Sequence, residues 1–322
     1  MHAHGHHHGQ QDPKGGGVGT TPRQRERERR GLLAALLTTS VILVAELVGG
    51  WLSNSLALLA DAGHMLSDVL ALVLAYLALT FATRPATASK TYGWYRLEIL
   101  AALLNGVTLV VISIFILWEA WERFSAPPEV RTELMIVIAV IGLVANALGL
   151  YFLSGRSRGL NMRGAYLHVL GDLLSSVGVV LGGAAMWVTG AYWIDPAVSV
   201  LIGVVIVVGA FRLLRESVDV LLEATPAGIS YDEVAGEIGA VNGVQGVHDL
   251  HIWSLTSGMY ALSCHVEVKR EVLTELEDIL DTIRHLMRQR FAIDHTTIQI
   301  EPEQYRNKSM IHWRVDPQRN AS

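Results

Sequence analysis

Six stretches of the chain are apolar almost without interruption, near residues 32–52, 57–82, 97–118, 134–153, 165–189 and 194–215. Each is long enough to cross ~30 Å of hydrocarbon, which takes about 20 helical residues. Beyond the sixth the pattern changes. "YDEVAGEIGAV" (231–241) reads as a short helix, while "VHDLHIWSL" (247–255) and "MYALSCHVEV" (259–268) read as strands joined by a turn containing "TSG". "VLTELEDILDTIRHLMRQRF" (272–291) returns to helical spacing, and "TIQIE" (297–301) is a last short strand. The pattern predicts an all-α six-helix transmembrane domain (31–215) and a small α+β domain (216–303) of order αββαβ, its helices on one face of a sheet. The flanking segments, 1–30 and 304–322, lack such patterning and are expected to be disordered.

Composition supports this division. The 322 residues are 51% hydrophobic and 17% charged, where an ordinary soluble domain carries about 25% charged residues. A net charge of −5 gives no reason to expect a nucleic-acid partner. The first apolar stretch exceeds the core of a signal peptide and others follow it, so it is read as an uncleaved span. Basic residues set the orientation. Arg23, Arg25, Arg27, Arg29 and Arg30 precede the first span; Arg84, Lys90 and Arg96 follow the second; Arg156, Arg158 and Arg163 follow the fourth; Arg212 and Arg215 end the sixth. The opposite connections hold no such excess, so both termini are placed in the cytoplasm. Cys264 is the only cysteine, which removes intrachain disulfides and cysteine-rich zinc sites. Histidine is plentiful instead, thirteen in all, with His2, His4, His6, His7 and His8 in a tract that suits weak metal collection.

The polar exceptions inside the spans carry the chemistry. His64 and Asp68 are four residues apart in the second span, and His168 and Asp172 repeat that spacing in the fifth. On a helix each pair shares one face. Ionisable groups at bilayer depth are costly and default to function; a purely structural interhelical hydrogen bond is worth only ~0.6 kcal/mol on average. The second and fifth spans run antiparallel, so packed together they offer two imidazoles and two carboxylates to one point. That set suits tetrahedral Zn²⁺, with bonds of ~2.0 to 2.2 Å, better than Ca²⁺, Mg²⁺ or Cu⁺. Two aspartates neutralise a divalent cation, and two protonated His–Asp pairs are also neutral, so metal and protons can exchange without leaving a bare charge in lipid. For both dyads to form one site, the fifth helix must begin before Ala165, near Arg158. Asp61, three residues before His64, is a third ligand, an acid on the metal's access path or a group that positions the helix; Glu46 in the first span is open in the same way. Gly178 and Gly182 form a G-x-x-x-G suited to close helix packing.

With these residues in place, the chain strongly resembles the cation diffusion facilitator family, in its bacterial zinc-exporting branch. The matching words are "SNSLALLADAGHMLSD", "YGWYRLEILAALLNG", "AYLHVLGDLLSSVGV", "WIDPAVSVLIGVVI" and "VHDLHIWSLTSG", within roughly residues 32 to 301. The resemblance implies a homodimer in the bacterial inner membrane that exports Zn²⁺ in exchange for protons by alternating access. His64, Asp68, His168 and Asp172 would be its transport site, with a His–Asp pair on each helix favouring zinc over cadmium. It further implies a soluble domain of metallochaperone type that can bind zinc at the dimer interface. His248, His265, His295 and Glu301 stand at the matching positions, with Gln299 where some relatives have histidine; His248 and His265 read equally well as ordinary strand residues. Two family features are absent: "ATRPATASKTYGWYR" has no acid or histidine for a second metal, and "SGRSRGLNMRG" has no histidine-rich loop. His251 and Trp253 read as packing residues, and His285 and His312 as solvated bystanders.

Other classes fit less well. A metalloenzyme would need an open coordination position and a base, as in H-E-x-x-H, and no such motif is present, so no enzymatic activity is expected. A membrane-anchored zinc sensor would not require buried dyads in six spans. An exporter of broader range, taking Cd²⁺, Co²⁺ or Fe²⁺, is the other alternative.

Overall fold

The computed structural model describes residues 22–81, 87–154, 160–269 and 276–302. Six long helices come first: α1 (Pro22–Ser53), α2 (Leu56–Phe81), α3 (Arg96–Ser125), α4 (Thr132–Ser154), α5 (Leu160–Thr189) and α6 (Ile194–Leu221). All six are long and apolar enough to cross a membrane. Their outward faces are apolar as well, as with Leu37, Val41, Val44 and Val48 along α1, all exposed. A surface of that kind needs lipid rather than water, and the protein is an integral membrane protein. α1 packs on α2 and α4, α4 on α5, and α3 chiefly on α6, while α2 also touches α3 and α6 and meets α5 only briefly. Five of the eight tryptophans, Trp51, Trp118, Trp121, Trp187 and Trp193, sit exposed at the end of the bundle where the α1–α2, α3–α4 and α5–α6 connections lie.

Helix ends depart from the apolar boundaries in a consistent direction. α1 begins at Pro22, ten residues before its apolar stretch, and α3 runs on through "WEAWERFS" to Ser125. A helix continues wherever backbone propensity permits, whether or not lipid surrounds it. α6 likewise passes residue 215 and ends at Leu221. α5 begins at Leu160, early enough to bring His168 and Asp172 onto regular helix, as one shared site requires.

The soluble part comprises α7 (Tyr231–Gly239), β1 (Val244–Thr256), β2 (Met259–Val268), α8 (Leu276–Phe291) and β3 (Ile293–Pro302). Ser230 caps α7, its side chain accepting from the Glu233 amide, the S-x-x-E signature of a helix start. β1 pairs antiparallel with β2, and β3 lies parallel to β2 after the α8 crossover. From Leu262 onward β2 alternates: Leu262, Cys264, Val266 and Val268 are buried, with Ser263, His265 and Glu267 between them on the other face. The buried set packs with Val234 and Ile238 of α7 and Ile279, Ile283 and Met287 of α8 in one core. Burial pushes the Cys264 thiol up to about 12. β3 is twice its expected length; its first half, "IDHTT", is too polar to announce a strand, but pairing to β2 holds it.

The soluble part docks on one end of the bundle. At the start of α3 the Glu98 carboxylate accepts from Thr256 Oγ1 (2.5 Å) and Ser257 Oγ (3.2 Å) in the β1–β2 turn. Nearby, Arg96 pairs with Glu223 just past α6.

Candidate metal centres

α2 contributes His64 and Asp68 one turn apart, and α5 contributes Asp172 from the facing helix. One ligand atom from each of these three residues lies within 4.8 Å of the others. One contact crosses between the helices: His64 Nε2 is 3.0 Å from Asp172 Oδ1. A tetrahedral zinc with ~2.1 Å bonds holds its ligand atoms ~3.4 Å apart, so small side-chain rotations close this cluster around an ion. His168 lies on α5 one turn before Asp172, but its side chain is outside the described residues. The histidine tract at the N-terminus and His312 are outside them as well.

The two ambiguous acids behave differently. Asp61 is buried, and Ser175 of α5 donates to its Oδ1 at 2.6 Å. That bond ties α2 to α5 one turn beyond the cluster. Glu46 is 1% exposed, and neither carboxylate oxygen finds a hydrogen-bond partner among the described residues. Its Oε1 fills the space beside Gly142 of α4, where a side chain would collide. Ser175 was not singled out in the sequence, although it lies three residues after Asp172 and so on the same helical face.

The second group sits on the sheet. His248 and His265 are register partners on β1 and β2, and with Glu301 of β3 their ligand atoms also lie within 4.8 Å of one another. His248 Nε2 is 3.2 Å from Glu301 Oε2, and His265 Nδ1 is 3.0 Å from Oε1. The latter falls outside hydrogen-bonding angles and leaves Nδ1 without a hydrogen-bond partner among the described residues. A buried imidazole nitrogen left in this way beside a 2% exposed carboxylate fits a metal better than a network of hydrogen bonds. Gln299 donates to Glu301 Oε1 at 2.8 Å, and Glu267 lies 3.8 Å from His248. Gln299 therefore orients the carboxylate, as outer partners of metal ligands commonly do. Glu267 escaped the sequence reading as a site residue, though its spacing of two from His265 on a strand placed it on the right face.

His295 does not join this cluster in the chain. It shares the β3 face of Glu301 but stands six residues earlier, ~20 Å away at a strand's rise. Its exposed ring meets Tyr92 edge-on at 5.6 Å between centroids, in the α2–α3 connection. His251 is likewise not a packing residue: it is exposed and pairs with Asp249 at 3.3 Å. The cause is an irregularity between His248 and His251, with Asp249 at φ 51°, which breaks the alternation of faces. His285 is exposed on α8, as expected of a solvated residue.

Comparison with known proteins agrees with this architecture. Residues 32–222 match the cation efflux transmembrane domain, and residues 226–303 match the cation efflux protein cytoplasmic domain. The chain is 43% identical to a cadmium, cobalt and zinc/H(+)-K(+) antiporter of Bacillus subtilis, over 84% of this chain and 88% of that one. It is 44% identical to the metal cation efflux system protein CzcD of Cupriavidus metallidurans, over 84% and 86%. With the zinc transporter ZitB of Escherichia coli the figure is 42%, over 84% and 87%. Six spans with a polar cluster between the second and fifth, a docked αββαβ domain and similarity along most of the length have one reading: the chain belongs to the cation efflux family.

Proposed function

We propose that the protein exports Zn²⁺ from the cytoplasm across a bacterial inner membrane in exchange for protons, working as a homodimer with both termini inside. The observation that carries this reading is the convergence of His64, Asp68 and Asp172 from two spans onto one point. His168, one turn from Asp172, is the fourth ligand in this reading. Zinc as substrate binds neutral imidazole and ionised carboxylates. On the acidic side of the membrane, protons compete for the same atoms, since histidine ordinarily titrates near ~6.5. The vacated site then takes up two protons, one held between His64 and Asp172, 3.0 Å apart, and one by His168 with Asp68, so two imidazolium–carboxylate pairs replace the zinc and no bare charge is left. A gradient acid outside thus releases zinc outside.

The proposed orientation follows the arginine and lysine excess in the connections on the docked domain's side of the bundle. The cytoplasmic-domain match supports dimerisation, and His248, His265 and Glu301 supply a separate zinc site with a structural or regulatory role. Because curated relatives carry cadmium and cobalt in their names, the metal range belongs in the same assay.

The test is zinc entry into proteoliposomes holding a fluorescent indicator, with the lumen acidic, for wild type and Asp172→Ala. Proton-coupled uptake that stops in the variant is expected, with Cd²⁺ and Co²⁺ as competitors. Wild-type rates in the variant would place transport elsewhere.

A further inference from the structure

Asp61, His64 and Asp68 all ride on α2, yet α2 meets α5, the helix that carries Asp172, only briefly. The Asp61–Ser175 bond is one direct tie between the two helices. A second set of contacts lies at the start of α2, eight residues before His64. Asp195, the second residue of α6, is 1% exposed and faces the first turn of α2. Its Oδ1 accepts from Ser55 Oγ at 2.6 Å and from the Ala57 amide at 3.3 Å, and its Oδ2 from the Leu56 amide at 2.7 Å. Ser55 Oγ in turn accepts from the Leu58 amide at 3.2 Å. Three of the amides a helix start leaves unpaired are thus satisfied, two of them by a carboxylate from another helix.

The surroundings hold the carboxylate still. Arg123 Nη1 lies 3.9 Å from Oδ2 and donates to the Asn54 carbonyl at 2.9 Å. Ser199 Oγ donates to the Asp195 carbonyl at 2.7 Å. Leu56, Ala57, Leu58, Ala60 and Ala62 are all among the most buried residues of the bundle.

We infer that Asp195 is a positioning residue for metal transport: by gripping the start of α2 from α6, it sets the height and rotation at which His64 and Asp68 meet Asp172. A helix is stiff over the eight residues from Leu56 to His64, a rise of ~12 Å. Three polar atoms held in succession define both its axial position and its azimuth. If the grip loosens, α2 slides or turns, and a cluster spanning two helices loses its shape without losing a ligand. The inference rests on the reading of His64, Asp68 and Asp172 as the transport site.

The test measures zinc KM and kcat in proteoliposomes for Asp195→Asn and Ser55→Ala, normalised to folded protein, with Asp172→Ala alongside. Asparagine retains the shape but turns an N–H toward the Leu56 amide, so zinc KM should rise roughly tenfold, the scale of one lost charged hydrogen bond. Ser55→Ala keeps both grips on the backbone, and its KM should rise about threefold. In both variants kcat at saturating zinc should fall less than KM rises. If Asp195→Asn fails to fold, Ser55→Ala alone decides by the same shift. If Asp172→Ala is inactive while folded variants keep the wild-type KM and lose only yield, Asp195 is a stabilising cap and the inference fails. If Asp172→Ala transports like wild type, the transport-site reading fails first and takes this one with it.

Discussion

The two candidate metal clusters draw on the same chemistry, imidazole and carboxylate groups within 4.8 Å of one another, on scaffolds of opposite character. In the membrane, His64 and Asp172 come from helices 108 residues apart in sequence that barely touch. In the soluble domain, His248, His265 and Glu301 stand on three neighbouring strands whose register is locked by the β1–β2 and β2–β3 ladders. A cluster between two helices is dismantled when either one tilts. A cluster across a sheet survives anything short of unfolding. The first scaffold is suited to taking up and giving away an ion, the second to keeping one.

That contrast is open to direct attack. The largest effect is expected from His64→Ala: zinc transport should fall by about a hundredfold or more, as when a transition-metal site loses a ligand, while the soluble domain keeps one zinc per chain by equilibrium dialysis. Loss of both would mean that the two sites are not independent. Next in size, Glu301→Gln should weaken zinc binding to the soluble domain by ~10- to 100-fold and lower the transport rate by only about threefold or less. A collapse of transport to the His64→Ala level would erase the proposed division of labour. The smallest effect concerns Cys264, beneath the sheet face that carries the cluster. Its pKa is raised from 9.0 to about 12 by burial, so the folded domain holds this proton where the unfolded chain releases it. The associated stability is complete below pH ~9 and is lost as pH climbs toward about 12. A maleimide at pH 8 should therefore leave Cys264 unlabelled until denaturant is added. Labelling of the native protein at the rate of a free thiol would show that the sheet opens, and the contrast in rigidity would lose its basis.

Much of this could be read from the residues alone, for reasons that differ by element. Six spans are visible because lipid imposes apolarity over a fixed length. Their true ends are not, since α1 and α3 continue as helix into polar sequence where the membrane no longer dictates composition. The i, i+4 spacing of His64 with Asp68 and of His168 with Asp172 is local and therefore legible. The contact between His64 and Asp172 joins residues 108 apart on helices that meet only briefly, and it leaves no local mark. Asp195 illustrates the limit: an acid two residues into an apolar helix was in plain view in "WIDPAV", yet its partners lie about 140 residues away. Asp249 illustrates another, because a positive φ at a bulge reassigns the face of His251 without any glycine to announce it. On the sheet, His248, His265 and Glu301 come together because three neighbouring strands carry them in register, whereas His295 stands six residues up β3 from Glu301, beyond their reach within one chain.

The five exposed tryptophans at one rim of the bundle have a mechanical consequence. Indole rings favour the boundary between lipid and water, and resist both deeper immersion and withdrawal. With α1, α3, α5 and the start of α6 moored there, any leaning of the helices would pivot at that rim. The displacement would then be largest at the far end of the bundle, beside the soluble domain.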